Sequence, residues 1–330
     1  MTIMNRSMPI RLHQLKALKN RLPSGWSSKM KEDLTLYEAG YRGERNLEYH
    51  LNFLEDRDFV FVHDLRLRAS NGHYFQVDTL VVTSRFFVIV EVKNLVGRIE
   101  FHDELKQMVR RSNGEDILMP NPLHQVRRQQ AQLSDWLLER DLPLMPCEQL
   151  IVFANPSTII HSTEAGKKSL SKVVYAEGVV PRLEKLKSHF SKGRSYFDKS
   201  SLAKLVDTLK ANHAPSLFPI LSTYQLNYSN LQKGVFCPDC RAPRMNRQGR
   251  SGSWHCKSCG CKSKDAHIRA LEDYYLLVKP TITNAEVREF LGVESKDVAK
   301  RFLSKLDIKS THKNRYCYYH LTFPLRLKKI

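Results

Sequence analysis

Two short polar motifs interrupt an otherwise apolar stretch of the chain, and their residue types suit hydrolytic chemistry. The motifs are Gln76-Val77-Asp78 and Glu91-Val92-Lys93. Residues two apart in a β-strand share a face, so Gln76 lies beside Asp78 and Glu91 beside Lys93. A carboxylate or ammonium buried among Phe-Phe-Val-Ile-Val is costly unless it pairs with an opposite charge, binds a metal or takes part in chemistry.

The spacing alone leaves two interpretations of these residues open. One is a buried salt bridge between Lys93 and either Asp78 or Glu91. In the other, the two carboxylates hold a divalent cation and Lys93 lies beside an attacking water. Mg²⁺ binds through one or two carboxylates and keeps its other positions for water and phosphate oxygens. This arrangement is the one that phosphodiester cleavage needs.

Four cysteines near the other end of the chain have the spacing of a structural metal site. Cys237-x2-Cys240 and Cys256-x2-Cys259 are separated by fifteen residues. Two such pairs predict a Cys₄ zinc site, with a disulfide or an iron–sulfur cluster as alternatives. Cys261 is a spare thiol, and His255 could compete as a ligand.

The cysteine segment resembles zinc ribbons, including those at the ends of DNA topoisomerases. Trp254 and the arginines at positions 241, 244, 247 and 250 give it a basic, aromatic surface. Such a surface can contact DNA through backbone charge and stacking. The alternative is a segment that only holds the fold together.

The first motifs require a sheet with covering helices. Alternation and β-branched residues predict strands at Phe59–Leu67, Phe75–Thr83 and Arg85–Lys93, with a short strand at Ile151–Ala154. Helical spacing predicts a helix from Tyr41 to Asp56. A second helix is predicted from Pro122 to Leu138, with proline at its first position, and a third around Lys199 to Asn212.

The segment from Gly40 to about Leu138 resembles the nuclease-related domain (NERD) family, a branch of the PD-(D/E)xK nuclease superfamily. The matching pieces occur in the family's order and are Gly43-Glu44, His63-Asp64-Leu65, Gln76-Val77-Asp78, Val90-Glu91-Val92-Lys93-Asn94 with Gly97, and Asn121-Pro122-Leu123 with Gln125. Val77 stands where the superfamily's name has proline, a position that varies widely. The resemblance implies an α/β fold with a mixed sheet of about four strands flanked by helices.

The resemblance also implies roles for individual residues. Asp78 and Glu91 would bind Mg²⁺ or Mn²⁺, and Glu44 would approach the same metal from the first helix, directly or through water. Lys93 would orient or deprotonate the nucleophilic water. Two glutamines complete the implied catalytic set: Gln76 would position water or phosphate, and Gln125 would contact substrate or support Glu91 and Lys93.

The last segment of the chain resembles a winged helix-turn-helix. A helix from Ala266 to Val278 is followed by a capping box at Thr283 and Glu286, a turn at Gly292 and a further helix capped by Ser295. Two strands then predict a hairpin. The predicted DNA contacts are Lys296, Lys300 and Lys305 in the major groove, and His312, Lys313 and Arg315 on the backbone. A winged helix that binds protein is the alternative.

Charge is divided unevenly along the chain. The whole carries 53 Lys and Arg against 34 Asp and Glu, net +19, yet residues 36–150 are net −4 and residues 231–330 net +12. This pattern predicts DNA as the partner. The longest apolar stretch, Phe86 to Val90, is too short to span a membrane. The N-terminus has no apolar signal segment, which predicts a cytoplasmic protein without a membrane partner, and a homo-oligomer is left open.

These features predict five segments and leave two alternative functions for the whole protein. The segments are a basic helical segment (1–35), the nuclease-like domain (36–155), a helical extension and linker (156–230), the zinc ribbon (231–262) and the winged helix-turn-helix (263–330). The predicted function is a metal-dependent nuclease that hydrolyses DNA and is targeted by the two C-terminal modules. The alternative is a non-catalytic DNA-binding regulator or adaptor that uses the nuclease fold as a scaffold.

Overall fold

The computed structural model describes residues 2–4, 6–54, 58–102, 107–162, 170–242, 244–248, 252–313 and 316–328. The chain divides into two compact units. The first unit comprises Met1–Pro9 and Leu36–Pro215, and the second comprises Ile10–Thr35 and Ser216–Ile330.

Sixteen strands and nine α-helices are present in the described residues. The strands are β1 (Thr2–Met4), β2 (Val60–Arg68), β3 (Tyr74–Val82), β4 (Phe87–Lys93), β5 (Gly97–His102), β6 (Gln107–Ser112), β7 (Glu115–Pro120), β8 (Cys147–Phe153), β9 (Thr158–Ser162), β10 (Val173–Tyr175), β11 (Asn246–Arg247), β12 (Trp254–His255), β13 (Lys262–Ser263), β14 (Thr281–Thr283), β15 (Lys309–Lys313) and β16 (Tyr316–His320). The α-helices are α1 (Ile10–Arg21), α2 (Ser28–Leu51), α3 (Pro122–Leu138), α4 (Val179–Phe190), α5 (Lys199–Asn212), α6 (Ile220–Thr223), α7 (Ala266–Leu277), α8 (Asn284–Leu291) and α9 (Lys296–Lys305).

The first unit is built on a six-stranded mixed sheet in the order β1-β2-β3-β4-β8-β10. Strands β2, β3 and β4 are antiparallel, whereas β4, β8 and β10 run parallel. One face packs against α3 and α5 around Trp136 and Leu205, and the other packs against α2 and α4 around Leu47 and Leu183. The predicted mixed sheet flanked by helices is confirmed, with two more strands than the sequence suggests.

Strand β4 is central because it is buried on both faces along its length. Every residue from Phe87 to Val92 is buried, and Lys93 at its end is partly exposed. The strand pairs with β3 on one side and β8 on the other. A run of apolar residues without polar alternation is the pattern expected of such a strand.

Several element boundaries differ from the sequence-based expectation. Helix α3 begins at Pro122 as predicted, since the Asn121 side chain accepts a hydrogen bond from the Leu123 N–H at 2.9 Å. Helix α2 begins at Ser28, thirteen residues before the predicted start, because Met30 and Leu34 also find buried positions. A second sheet, in the order β7-β6-β5-β9, occupies a region where the sequence predicts no strands.

The second unit combines α1, a small ribbon sheet and the C-terminal helices. The ribbon strands pair in the order β11-β12-β13, and β14, β16 and β15 form another three-stranded sheet in that order. Leu12, Leu15 and Leu18 of α1 are fully buried. These leucines form an apolar stripe along α1 and are part of a protein core. None of the described helices has the length and apolar character needed to cross a membrane.

A buried arginine joins α1 to the rest of this unit. The Arg21 guanidinium donates to the Asp273 carboxylate at 2.7 Å and to the carbonyls of Gln232 and Gly234. It also lies about equally far, 4.5 and 4.6 Å, from the rings of Phe236 and Phe290. Hydrogen bonds and ring contacts together compensate for the burial of this charge.

Candidate functional site

The polar residues of the first unit collect where β2 and β3 stop alternating regularly. In a regular strand, residues three apart point to opposite faces of the sheet. Here Val62 and Leu65 of β2 lie in the same hydrophobic cluster, and so do Val77 and Leu80 of β3. The inward–outward alternation of side chains therefore shifts by one residue in both strands, at Asp64 and at Asp78. These two residues lie opposite each other, between the pairs His63–Thr79 and Leu65–Val77. Asp64 accommodates the shift with a left-handed backbone, φ 52°.

Strands β3 and β4 diverge at the same level. Their regular pairing ends at Thr79 opposite Val90. Beyond that pair, the Val92 N–H donates to a side-chain oxygen of Asp78 at 2.9 Å instead of to a backbone carbonyl. The carboxylate thus lies in the gap between two central strands.

Helix α3 supports the second motif through two glutamines. The Lys93 ammonium donates to Glu91 Oε1 at 2.7 Å and to Gln125 Oε1 at 3.3 Å. Gln129 donates to Glu91 Oε2 at 3.2 Å and to the carbonyl of Gln76 at 2.8 Å. Glu91 is only 3% exposed, so these contacts hold it and Lys93 in fixed positions. The salt bridge foreseen as one interpretation is present between Lys93 and Glu91.

Helix α2 brings a third carboxylate to the end of the sheet. A Cβ at Gly43 would lie 2.6 Å from the Asn94 Cβ, so the helix can approach the end of β4 only with glycine there. Asn94 fastens this contact by donating to the carbonyl of Ala39 at 2.6 Å. The close approach carries the neighbouring Glu44 toward Asp64 and Glu91, whose negative charges help to raise the pKa of its carboxyl group.

A buried arginine that the sequence did not single out holds Glu44. The Arg6 guanidinium donates to Glu44 Oε2 at 2.5 Å and to the Thr79 hydroxyl at 2.7 Å, and it lies 3.0 Å from His63 Nδ1. Its side chain has no exposed surface. Because Arg6 lies 38 residues before Glu44, no local pattern marks it as part of the site.

The carboxylates of the site carry more negative charge than the nearby cations offset. Burial, with the charges of Glu91 and Glu44, raises the pKa of Asp78 well above its ordinary value. Burial also raises the pKa of Glu44, an effect that Arg6 opposes. Asp64, which accepts a hydrogen bond from Gln76, has its pKa raised by burial too. Among the described residues, Asp78 forms no ion pair.

This donor set fits a hard divalent cation. Carboxylate oxygens suit Mg²⁺ and Mn²⁺, and a divalent cation would offset the excess charge. Across the described ranges, the only group of three or more His, Cys, Asp or Glu ligand atoms lying within 4.8 Å of one another is the cysteine cluster. Mg²⁺ commonly binds through one or two carboxylates and takes its remaining ligands from water or phosphate.

Acid should weaken the fold around His63. Burial, with the charge of Arg6, lowers the pKa of His63 from 6.5 to about 3. A group with a lowered pKa contributes stability above its unfolded pKa of about 6.5 and loses it as pH falls toward about 3. At pH 4.5, two units below the unfolded pKa, this loss amounts to about 3 kcal/mol. Hydrogen exchange of the β2 and β3 amides should therefore be less acid-sensitive in His63→Gln than in the wild type.

The exposed His73 supplies the matched control for this measurement. His73→Gln removes an imidazole from the loop between the same two strands but should leave the acid sensitivity of their amides unchanged. If both variants lost acid sensitivity of hydrogen exchange equally, or if His63→Gln lost none, the assignment of this pH dependence to the buried His63 ring would be contradicted.

The four cysteines form a second candidate metal site, in the second unit. The sulfur atoms of Cys237 and Cys259 are 3.6 Å apart and those of Cys240 and Cys256 are 3.5 Å apart. Zinc–sulfur bonds of about 2.3 Å place tetrahedral sulfur ligands about 3.8 Å apart, so the cluster is compatible with zinc. All four are free thiols rather than disulfides.

The two halves of the cluster have the same backbone design. The N–H of Arg241 donates to the carbonyl of Cys237, and the N–H of Gly260 donates to that of Cys256. Arg241 and Gly260 have left-handed φ values of 61° and 74°. In the second half, the backbone N–H of Cys259 is the main cause that lowers the pKa of Cys256 to about 6. Backbone N–H groups aimed at sulfur favour the thiolate that a metal requires.

The predicted DNA-contacting lysines lie on the surface of the second unit. Lys296, Lys300 and Lys305 are exposed on α9, and Lys313 is exposed at the end of β15. Arg315 and Arg250, which the sequence also singled out, lie outside the described residues. No described contact tests a role in DNA binding for these residues.

Comparison with known proteins assigns part of the chain to a family. Residues 39–154 match the family model described as the nuclease-related domain. This range contains Glu44, Asp64, Gln76, Asp78, Glu91, Lys93, Gln125 and Gln129, whereas Arg6 and the cysteine cluster lie outside it. No curated protein and no solved structure matches the chain.

Proposed function

Because residues 39–154 form a nuclease-related domain, we propose that this protein is a metal-dependent nuclease that hydrolyses DNA phosphodiester bonds. The observation that carries the proposal is the partly buried Asp78 carboxylate, which lies in the gap between β3 and β4 with a raised pKa. A fold keeps such an unfavourable charge when it serves a ligand or a reaction.

The surrounding residues support distinct roles in hydrolysis. Asp78 and Glu91 would hold Mg²⁺ or Mn²⁺, and Glu44 would assist from α2. When bound, such a cation stabilises the charge that develops on phosphate and makes water more acidic. Lys93 is held by Glu91 and Gln125 at the exposed rim, where it can orient a water or accept its proton. Gln76 would position water or phosphate from the adjacent strand.

The C-terminal modules would bring this site to DNA. The order α7, β14, α8, α9, β15, β16 and the sheet order β14-β16-β15 support the proposed winged helix-turn-helix. Thr283 and Ser295 cap α8 and α9, and Gly292 supplies the left-handed turn between them with φ 71°. Helix α9 would then enter the major groove while the zinc ribbon and Lys313 contact the backbone.

A cleavage assay on single-stranded, duplex and branched DNA tests the proposal. With Mg²⁺ or Mn²⁺ the purified protein should cut at least one of these substrates, and Lys93→Ala should lower the rate by about 10³-fold. Lys172→Ala is the matched control, since Lys172 donates to Gln149 outside the cluster and should be dispensable. Equal cutting by the wild type and Lys93→Ala would exclude the proposed site as the source of cleavage.

A different result would favour the non-catalytic alternative. Tight, salt-sensitive DNA binding without metal-dependent cleavage on any of the three substrates would indicate a regulator or adaptor. In that case Lys93→Ala should leave DNA affinity unchanged, because the positive groups proposed to hold DNA lie on the C-terminal modules.

A further inference from the structure

A basic cavity in the second unit is not explained by zinc binding, and of the proposed groove contacts only Lys305 lines it. Its volume is about 600 Å³, within the range of small-ligand sites. Residues of the ribbon, the start of α7 and one side of α9 line it. The cavity is concave and limited to this volume, so it suits a compact ligand better than the continuous backbone of a duplex.

Four cations converge on this cavity with little opposing charge. Among the described lining residues, the cations are Arg247, Lys264, Arg301 and Lys305, and Asp265 is the one acidic residue. In the described part of the chain, none of the four cations forms an ion pair with a carboxylate. Gathering like charges around a low-dielectric concavity is unfavourable by itself, and it concentrates a potential that attracts anions. The cavity therefore has the electrostatics of an anion site.

The cavity also has an apolar side that a simple anion would not need. Phe302 lines it and packs on His267 with a ring separation of 3.9 Å. Arg247 lies 5.6 Å from the Phe302 ring, and its Nε is buried without a hydrogen-bond partner among the described atoms. An arginine aimed over an aromatic wall offers both charge and an apolar surface to a ligand.

Helix α9 presents two separate basic flanks. Lys296 and Lys300 lie one turn apart on one flank, and Arg301 and Lys305 lie one turn apart on the other. Of these four basic residues, Arg301 and Lys305 line the cavity, and Lys296 and Lys300 are not among its lining residues. The two pairs can therefore act on different parts of a bound nucleic acid.

We propose that this cavity binds a nucleotide through its terminal phosphate, with Arg301 and Lys305 on the phosphate and Phe302 beside the base or sugar. The nucleotide can be the end of a DNA strand or a free nucleoside monophosphate. The strand-end form rests on the proposed function, whereas the free-nucleotide form does not.

Fluorescence anisotropy of a labelled single-stranded DNA decamer, with and without a 5′-phosphate, tests the proposal. The Lys93→Ala protein without added divalent cation is used, so the result does not depend on cleavage. It should prefer the phosphorylated decamer by about tenfold or more, the effect of added charged hydrogen bonds. Arg301→Ala/Lys305→Ala should reduce this preference to near unity.

Lys296→Ala/Lys300→Ala is the matched control, because it removes the same charge from the same helix. This pair should weaken both decamers equally and keep the preference for phosphate. Competition by AMP distinguishes the end of a DNA strand from a free nucleoside monophosphate as the ligand. Binding of AMP that depends on Arg301 and Lys305, without a decamer preference, identifies a free nucleotide. Absence of both effects, or equal loss in both double variants, would overturn the proposal even if the protein cuts DNA.

Discussion

Replacing Asp78 with asparagine should greatly reduce DNA cleavage and at the same time make the metal-free protein more stable. Asparagine keeps the oxygen that accepts the Val92 N–H but removes a charge that burial, Glu91 and Glu44 all disfavour. Because a raised pKa means that the folded state disfavours the charged carboxylate, the free energy of unfolding of the metal-free protein should rise at neutral pH when that charge is removed. Cleavage should fall by about 10³-fold, since the metal loses a charged ligand.

Thermal unfolding with and without Mg²⁺ separates this result from general damage. Magnesium should raise the melting temperature of the wild type, because it binds the folded state, and should have little effect on Asp78→Asn. Asp135→Asn is the matched control, since Asp135 is exposed on α3 and its replacement should alter neither quantity. A variant that is less stable than the wild type, or that retains full cleavage, would contradict the role given to Asp78.

The sequence was informative wherever short-range periodicity determines the structure. Helix α3 begins and ends at the predicted residues because Asn121, Pro122 and the apolar spacing act locally. Strands β2, β3 and β4 were foreseen within one or two residues for the same reason, because alternating and β-branched residues belong to the strand itself. The motif residues on these strands consequently fell near one another without any knowledge of the whole fold.

The parts that escaped prediction depend on distant contacts. Arg6 reaches Glu44 across 38 positions and Thr79 across 73, so neither pairing leaves a local pattern. Asp64 belongs to a motif quoted for the family resemblance, but its proximity to the other carboxylates follows from the paired shift in β2 and β3. Only a backbone that departs from regular alternation produces this geometry, and simple period-two reasoning assumes that no such departure occurs.

The two candidate metal sites differ, for a physical reason, in how far the sequence alone predicts them. A Cys-x-x-Cys turn places two sulfurs together by its own backbone hydrogen bonds, so spacing alone predicts half of the four-cysteine cluster. The carboxylate site draws its residues from β2, β3, β4 and α2, and each must be placed by the packing of the whole unit. Gly43 illustrates this, since its importance is visible only once α2 lies against Asn94.

Replacing Cys256 with serine should remove zinc and unfold the ribbon around it. Structural zinc contributes on the order of 10 kcal/mol to the folding of small domains, more than the few local contacts of β11, β12 and β13 can replace. Cys256 is buried and lies 3.5 Å from Cys240, so a serine oxygen there leaves an incomplete tetrahedron. Zinc content measured by mass spectrometry should fall from about one per chain to near zero. Hydrogen exchange across residues 237–262 should then become fast.

Cys261→Ser is the matched control because it removes the fifth cysteine of the same segment and leaves the four-cysteine cluster intact. This variant should keep its zinc and its slow exchange. If the ribbon holds DNA, Cys256→Ser should also weaken DNA binding by at least about tenfold, while Cys261→Ser should not. A ribbon that only holds the fold together would lose zinc and order in Cys256→Ser, yet DNA affinity would be retained. The comparison of zinc content with DNA affinity in the two variants therefore distinguishes a DNA-binding ribbon from a structural one.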